Sequence, residues 1–401
     1  MTQNVWRTGQ AGLAALVLLT ALPGQAALSS DLSVEIIYIE QQPLRPPVLS
    51  NLVGWPEDDG RQGARLGIAD NNTTGKFLRQ NYQVQETIVE TDGDVAEAAR
   101  AALDGGAKLV VLNVPDGAVN LIADLPEAAD DLIFNAGSAD SALRDAECRA
   151  NVLHTLPSRA MLADALMQFF TKRRWSSLFL IEGNRPGDAK FAEALRASAN
   201  KFRLSIDHDK TWTEDADMRR NAAQEVPVFT QADAYDVVLV ADEDHDFGHY
   251  VLYNTWLPRP VAGSTGIEAV AWSSVVEQWG AAQLQSRFVK QAERSMTSRD
   301  YAAWAAVRSV GEAVTRTKSA AVEDVRDYVL SDAFSLAAFK GAKMSFRNWN
   351  GQLRQPIPLV HPRAVVSLTP VEGFLHQVTE LDTLGIDEPE SQCTAMGRTT
   401  E

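Results

Sequence analysis

The chain has 401 residues, 45% of them apolar and 22% charged, with a formal net charge of −16 and two cysteines. Such fractions belong to a globular chain, and the length accommodates two domains of ordinary size. The negative excess repels phosphate backbones and anionic bilayers, so neither nucleic acid nor a membrane surface is expected as a partner.

Residues 1–26 read as a cleavable signal peptide. A head with Arg7 leads into the apolar run Ala11 to Leu22, too short to span a bilayer as a helix of ~20 residues. Gly24 and Ala26 stand at the minus-three and minus-one positions of a cut after Ala26. No second long apolar run follows and no cysteine stands at the new N-terminus. A periplasmic product without stable membrane insertion is therefore expected. In that oxidising compartment a Cys148–Cys393 disulfide is the default, with two free thiols or redox chemistry as the alternatives.

From there short β-branched or apolar runs alternate with amphipathic stretches of helical length, the pattern of parallel sheets covered by helices. The predicted strands are Val34 to Ile39, Tyr82 to Val89, Lys108 to Leu112, Leu132 to Asn135, Ser177 to Ile181, Leu204 to His208 and Asp236 to Ala241. The predicted helices among them are Asp59 to Asn71, Val95 to Leu103, Ser158 to Thr171 and Ala189 to Phe202. After Trp279 come helices Ala281 to Ser295, Ser298 to Thr317 and Val322 to Leu330. A hairpin of Lys343 to Phe346 with Ile357 to Val360, turning at Asn348-Trp349-Asn350-Gly351, and a strand Ala364 to Leu368 complete the chain. The fold class is α/β, and the lack of a Pro/Gly/Ser-rich linker implies domains that exchange chain segments.

No Gly-x-Ser-x-Gly elbow, dinucleotide loop, phosphate loop or His-Glu-x-x-His occurs, so neither an enzyme nor a cofactor is expected. An open α/β sheet instead offers loops at the carboxyl ends of its strands, where ligands bind. Those loops supply the candidate ligand-binding residues Asn113, Asn135, Gly137, Ser138, Glu182, Asn184 and Asp242. Gly137 lets a ligand approach the backbone, while Asn135 and Ser138 bring short donors and acceptors, Ser138 equally serving as a helix cap. Asp242, Asp244 and Asp246 with Gly248 are similar to a calcium loop, but the glycine comes one place late and Tyr253 stands where a closing glutamate belongs. A solvated acidic loop is the better reading. His245 and His249 have a spacing a metal could use on one helical face, and a surface or capping role is expected of them. Trp256, Trp272 and Trp279 could line a cleft or pack in a core.

Three stretches, Gly60 to Asn72, Met296 to Arg308, and Phe339-Lys-Gly341 with Met344-Ser-Phe346 and Asn350-Gly351-Gln352, are similar to the opening helix, long helix and closing hairpin of one family. That family is the leucine/isoleucine/valine-binding branch of type I periplasmic binding proteins, and the resemblance runs over essentially the whole mature chain. More narrowly, Pro47 to Asn51, Glu225 to Gln231, Tyr253 to Trp256 and Glu372 to Gln377 resemble the subfamily associated with PQQ-dependent alcohol oxidation. The resemblance implies two Rossmann-like three-layer lobes joined by a hinge, residues 27–156 plus 283–335 and residues 157–282 plus 336–401. The lobes would close on a small-molecule ligand and deliver it to an ABC transporter permease. The family's cleft tyrosine falls at Pro186 and its ammonium-holding acid near Thr265, and neither has the needed side chain, which speaks against an ordinary branched-chain amino acid. The family's carboxylate-gripping turn would be Asn135 to Ala139. A periplasmic ligand sensor and a calcium- or lanthanide-capturing protein are the alternatives on the same architecture.

Overall fold

Val34, Ile36 and Tyr38 face one side of the first strand, Ile37 and Ile39 the other, and all five are buried, so this strand requires cover on both faces. The computed structural model describes residues 31–44, 54–213 and 218–397, with the backbone alone at 218–220. The expected signal peptide and the Pro47 to Asn51 string lie outside the described residues. Met1–Asp31 and Leu32–Glu401 are separate units, and every described element belongs to the second.

The first sheet is wholly parallel: β1 (Leu32–Gln41), β2 (Gln80–Val89), β3 (Leu109–Asn113), β4 (Leu132–Asn135) and β5 (Val152–His154), in the order β2-β1-β3-β4-β5. Between these strands run α1 (Arg61–Leu78), α2 (Val95–Leu103) and α3 (Asp116–Ala123), with α2 and α3 sharing a core with Ile37 and Ile39. The chain then enters α4 (Arg159–Arg173) and a second sheet whose parallel part is β6 (Ser177–Glu182), β7 (Ser205–Thr211), β8 (Val237–Ala241), β9 (Val261–Gly263) and β10 (Ile267–Ala269). Its helices are α5 (Pro186–Lys201), α6 (Met218–Phe229) and the single turn α7 (Gly248–Val251). Next, α8 (Ala281–Ala292), α9 (Ser298–Thr317) and α10 (Val322–Val329) return to the open face of the first sheet, where Leu284, Phe288, Trp304 and Val310 bury against the side carrying Val34, Ile36 and Tyr38. Two short strands, β11 (Leu336–Ala337) and β12 (Lys343–Met344), precede β13 (Ile357–His361) and β14 (Ala364–Thr369). The last two extend the second sheet to the order β14-β13-β10-β9-β8-β6-β7. Among the described residues no helix is long and apolar enough to cross a membrane.

The departures from expectation have local causes. Helix α1 continues past Asn71 because the residues that would end it find partners: Asn71 donates to the Val307 carbonyl at 2.9 Å, and Asn72 exchanges two 2.8 Å bonds with the Tyr82 backbone. Gly63 allows α1 to touch α9, since a Cβ there would lie 1.8 Å from the Asp300 carbonyl oxygen. Helix α6 was hidden by Pro227, which lies inside it. The expected hairpin is not formed as such. Lys343–Met344 pairs with Leu336–Ala337, and Ile357–His361 pairs with β14 and β10, leaving a Phe346–Leu353 bridge across the turn. Leu336, Met344, Phe346 and Leu353, assigned by sequence to the second lobe, bury their side chains in the core of the first sheet. The Cys148–Cys393 disulfide is formed across 245 residues of chain.

Candidate functional site

Strands that run parallel deliver all their carboxyl-end loops to one edge of a sheet. The loops after β3 and β4 and those after β6, β8 and β9 line one cavity of about 700 Å³, so both sheets contribute to it. Gly137, after β4, forms part of its wall at a point where no side chain fits: a Cβ would lie 2.5 Å from the Val114 backbone nitrogen. Behind that loop, Arg144 is fully buried and donates to the carbonyls of Ser138, Asp140 and Leu156 at 2.8–3.0 Å and to Gln352 at 2.9 Å. Burial without a carboxylate partner lowers its guanidinium to about 9.

A densely connected residue of the cavity is Arg159, at the start of α4, whose side chain is 8% exposed. Its Nε and Nη2 donate to the two oxygens of Glu243 at 2.7 Å, after β8, and its Nη1 donates to Asp116 at 2.9 Å, at the start of α3. Lys190, on α5, donates to Asp116 at 3.1 Å and also to Asp140. The network thus ties α4, α5 and the loop after β8 to the loops of the first sheet. Trp55 and His245 meet beside it with ring centroids 5.2 Å apart. Burial pushes the Asp116 carboxyl up, but Arg159, the Ser138 hydroxyl at 2.6 Å and Lys190 outweigh it and leave Asp116 at about 2 instead of the ordinary 3.8. A carboxylate lowered on folding contributes stability above pH 3.8 that is lost as pH falls through its folded value. Asp116→Asn is therefore expected to cost about 2 kcal/mol at pH 7 and much less near pH 2, read by urea unfolding at the two pH values.

Of the residues singled out by sequence, Gly137 lines the cavity, and Asn113 lines an adjoining recess with Glu40, Trp55 and Arg299. Asn113 also donates to Tyr38 at 3.0 Å and to the Asp59 carbonyl at 2.7 Å. Asn135 is buried and shapes its own loop by accepting from the Gly137 and Ser138 N–H groups, and Ser138 holds Asp116. Glu182 and Asn184 do not border the cavity: Glu182 binds Arg196 at 2.5 Å and Asn184 is exposed. Asp242 is fully buried and accepts from the N–H groups of Asp246, Phe247 and Gly248 at 2.6–2.9 Å, so it organises the α7 turn. The calcium-loop alternative fails on the same geometry, because Asp244 and Asp246 both pair with Arg185. Among the described residues no group of three or more His, Cys, Asp and Glu side chains could hold a metal ion. Trp272 is core, stacked on Tyr301 at 4.8 Å, while Trp256 and Trp279 lie on the surface.

Sequence reasoning missed Trp55, Arg159, Lys190, Glu243 and Glu268, all of which line the cavity. Two of them left a trace: Glu243 stands in the loop that supplied Asp242, and Glu268 is the single acid in the run Ile267-Glu268-Ala269-Val270-Ala271-Trp272.

No family model matches the chain, and no curated protein matches it in sequence. Solved structures do. A leucine-, isoleucine-, valine-, threonine- and alanine-binding protein from Brucella ovis, in its closed conformation, matches with TM-score 0.69 at 17% identity, over 91% of this chain and 99% of that one. A branched-chain amino acid ABC transporter periplasmic ligand-binding protein from Burkholderia xenovorans LB400 matches with TM-score 0.69 at 14% identity over the same shares. A periplasmic binding protein from Burkholderia mallei matches with TM-score 0.65 at 14% identity, over 90% of this chain and 99% of that one. Two helix-covered sheets with their carboxyl ends on a shared cavity, matched over nearly the full length of these proteins, give this chain the fold of the type I periplasmic binding proteins.

Proposed function

We propose that this chain is the periplasmic solute-binding component of an ABC transporter, capturing a small molecule in the cavity between its two sheets. The observation that carries the reading is the cavity itself: about 700 Å³, lined from both sheets, with Arg159 and Lys190 linking the two sides. A ligand touching both sides binds the closed arrangement better than an open one, and that difference drives closure about a hinge. The lobes of this mechanism are residues 27–156 plus 283–335 and residues 157–282 plus 336–401, with Leu336, Met344, Phe346 and Leu353 anchored on the first. Asn113 and Gly137 are the sequence-derived residues placed to meet the ligand. Export by a signal peptide agrees with the disulfide. The names of the structural neighbours support an ABC permease as partner, and the strings Glu225 to Gln231, Tyr253 to Trp256 and Glu372 to Gln377 support service to a PQQ-dependent alcohol oxidation system. The chain is then a receptor and not an enzyme, for Arg159, Asp116 and Glu243 bind one another instead of standing ready as acid, base or nucleophile.

Thermal unfolding of residues 27–401 against alcohols, aldehydes, amines, carboxylates, amino acids, PQQ, calcium and lanthanides tests this reading. One organic class is expected to stabilise by about 2.7 kcal/mol at a hundred times its Kd. A flat panel, or a response to metals alone, contradicts it.

A further inference from the structure

The cations that line the cavity are already engaged. Arg159 and Lys190 are held by Glu243, Asp116 and Asp140, and Arg299 lies 3.7 Å from Asp59. The helix N-termini opening onto it are engaged too. Ser158 caps α4, Thr297 and Asp300 cap α9, and α5 starts with Pro186, which has no N–H, beneath Asp188. The remaining helix, α3, carries the carboxylate of Asp116 in its own first turn. Among the described residues, a carboxylate or phosphate on a ligand therefore meets no vacant Lys or Arg side chain in this cavity.

Glu268 is the opposite case. It lies on β10, lines the cavity and is largely withdrawn from water, yet it has no hydrogen-bond or ion-pair partner among the described residues. Burial alone pushes its carboxyl up to about 7. An unpaired acid in such a place destabilises the empty protein once ionised and is relieved by a positive partner. The charge count points the same way: among the described residues, four carboxylates, Glu268 included, line the cavity against three Lys and Arg side chains, an excess of one negative charge. Leu156, Leu162, Pro186, Phe191 and Val270 give the same cavity an apolar wall. The net charge of −16 favours the approach of cations from solution.

Resting on the solute-receptor reading above, we infer that Glu268 determines specificity and that the ligand is an organic monocation, an amine on an apolar body. The carboxylate of Glu268 accepts hydrogen bonds from the ammonium while the apolar wall covers the rest of the molecule, and an amino acid is disfavoured because its carboxylate finds no free cation among the described residues.

Calorimetric titration of residues 27–401 with cyclohexylmethylamine, cyclohexylmethanol and cyclohexanecarboxylate tests this. The amine is expected to bind at least about tenfold more tightly than the alcohol, and the carboxylate more weakly than either. Glu268→Gln is expected to remove the preference for the amine while leaving the affinity for the alcohol within about threefold. Preference of the wild-type chain for the alcohol or the carboxylate overturns the inference and leaves the receptor reading standing, as does an amine affinity unchanged in a folded Glu268→Gln protein. Binding of none of the three overturns the inference alone; the receptor reading falls only if the wider solute panel is flat as well.

Discussion

Replacing Cys148 and Cys393 together by alanine is expected to lower the stability by up to about 5 kcal/mol, because the bridge removes a very long loop from the unfolded ensemble. Both cysteines are buried in the core of the first sheet, and 245 residues separate them. The loss has a structural counterpart. The second cysteine tethers the segment after β14, and its neighbour Met396 packs in the same core beside Gly351. Urea unfolding of the oxidised wild type and the double alanine variant measures the effect, and a difference below about 1 kcal/mol would mean that the tether contributes little.

Arg159→Met should cost about 3 kcal/mol, the typical penalty for removing one partner of a buried ionic network and leaving the others unmatched. The methionine keeps most of the side chain's volume, so the loss reports charge and hydrogen bonding more than packing. Burial lowers the Arg159 guanidinium, and Glu243 and Asp116 raise it by more, so it stays charged across the accessible pH range. Of its two partners, Glu243 loses both of its charged hydrogen bonds, whereas Asp116, the less exposed at 21% against 30%, keeps Lys190 and the Ser138 hydroxyl. The Asp116→Asn/Arg159→Met pair closes a double-mutant cycle, in which a coupling of about 1–3 kcal/mol is expected for residues sharing one network. A coupling near zero would show that the two loops are held independently.

Where strands end was legible because each apolar run gives way abruptly to a polar residue, as at Asn113, Asn135 and Glu182. Helix α9 was legible from its length and its apolar positions, which the structure buries beyond a Thr297–Asp300 capping box. Helix α6 was not, since Pro227 reads as a breaker wherever the tertiary setting is unknown. The candidate site was legible only as a set of loops. Whether a polar residue in such a loop faces a ligand depends on partners that sequence spacing does not reveal. Asp242 is consumed by three backbone N–H groups of the next turn. Glu182 is taken by Arg196 on α5, and Arg159 finds Asp116 and Glu243 at separations of 43 and 84 residues. Glu268 was passed over because its strand is three residues long, too short for a periodic signal.

The central claim is that a solute binds in the cavity between the two sheets. Ala139 and Leu162 line that cavity, the first in the loop after β4 and the second on α4. The most direct measurement is calorimetric titration of the solute giving the largest thermal shift into the wild-type chain and into the Ala139→Trp and Leu162→Trp variants. The account predicts one-to-one saturable binding to the wild type and a loss of at least about tenfold in affinity for each folded tryptophan variant. Binding that both substitutions leave unchanged would place the ligand elsewhere and contradict the account.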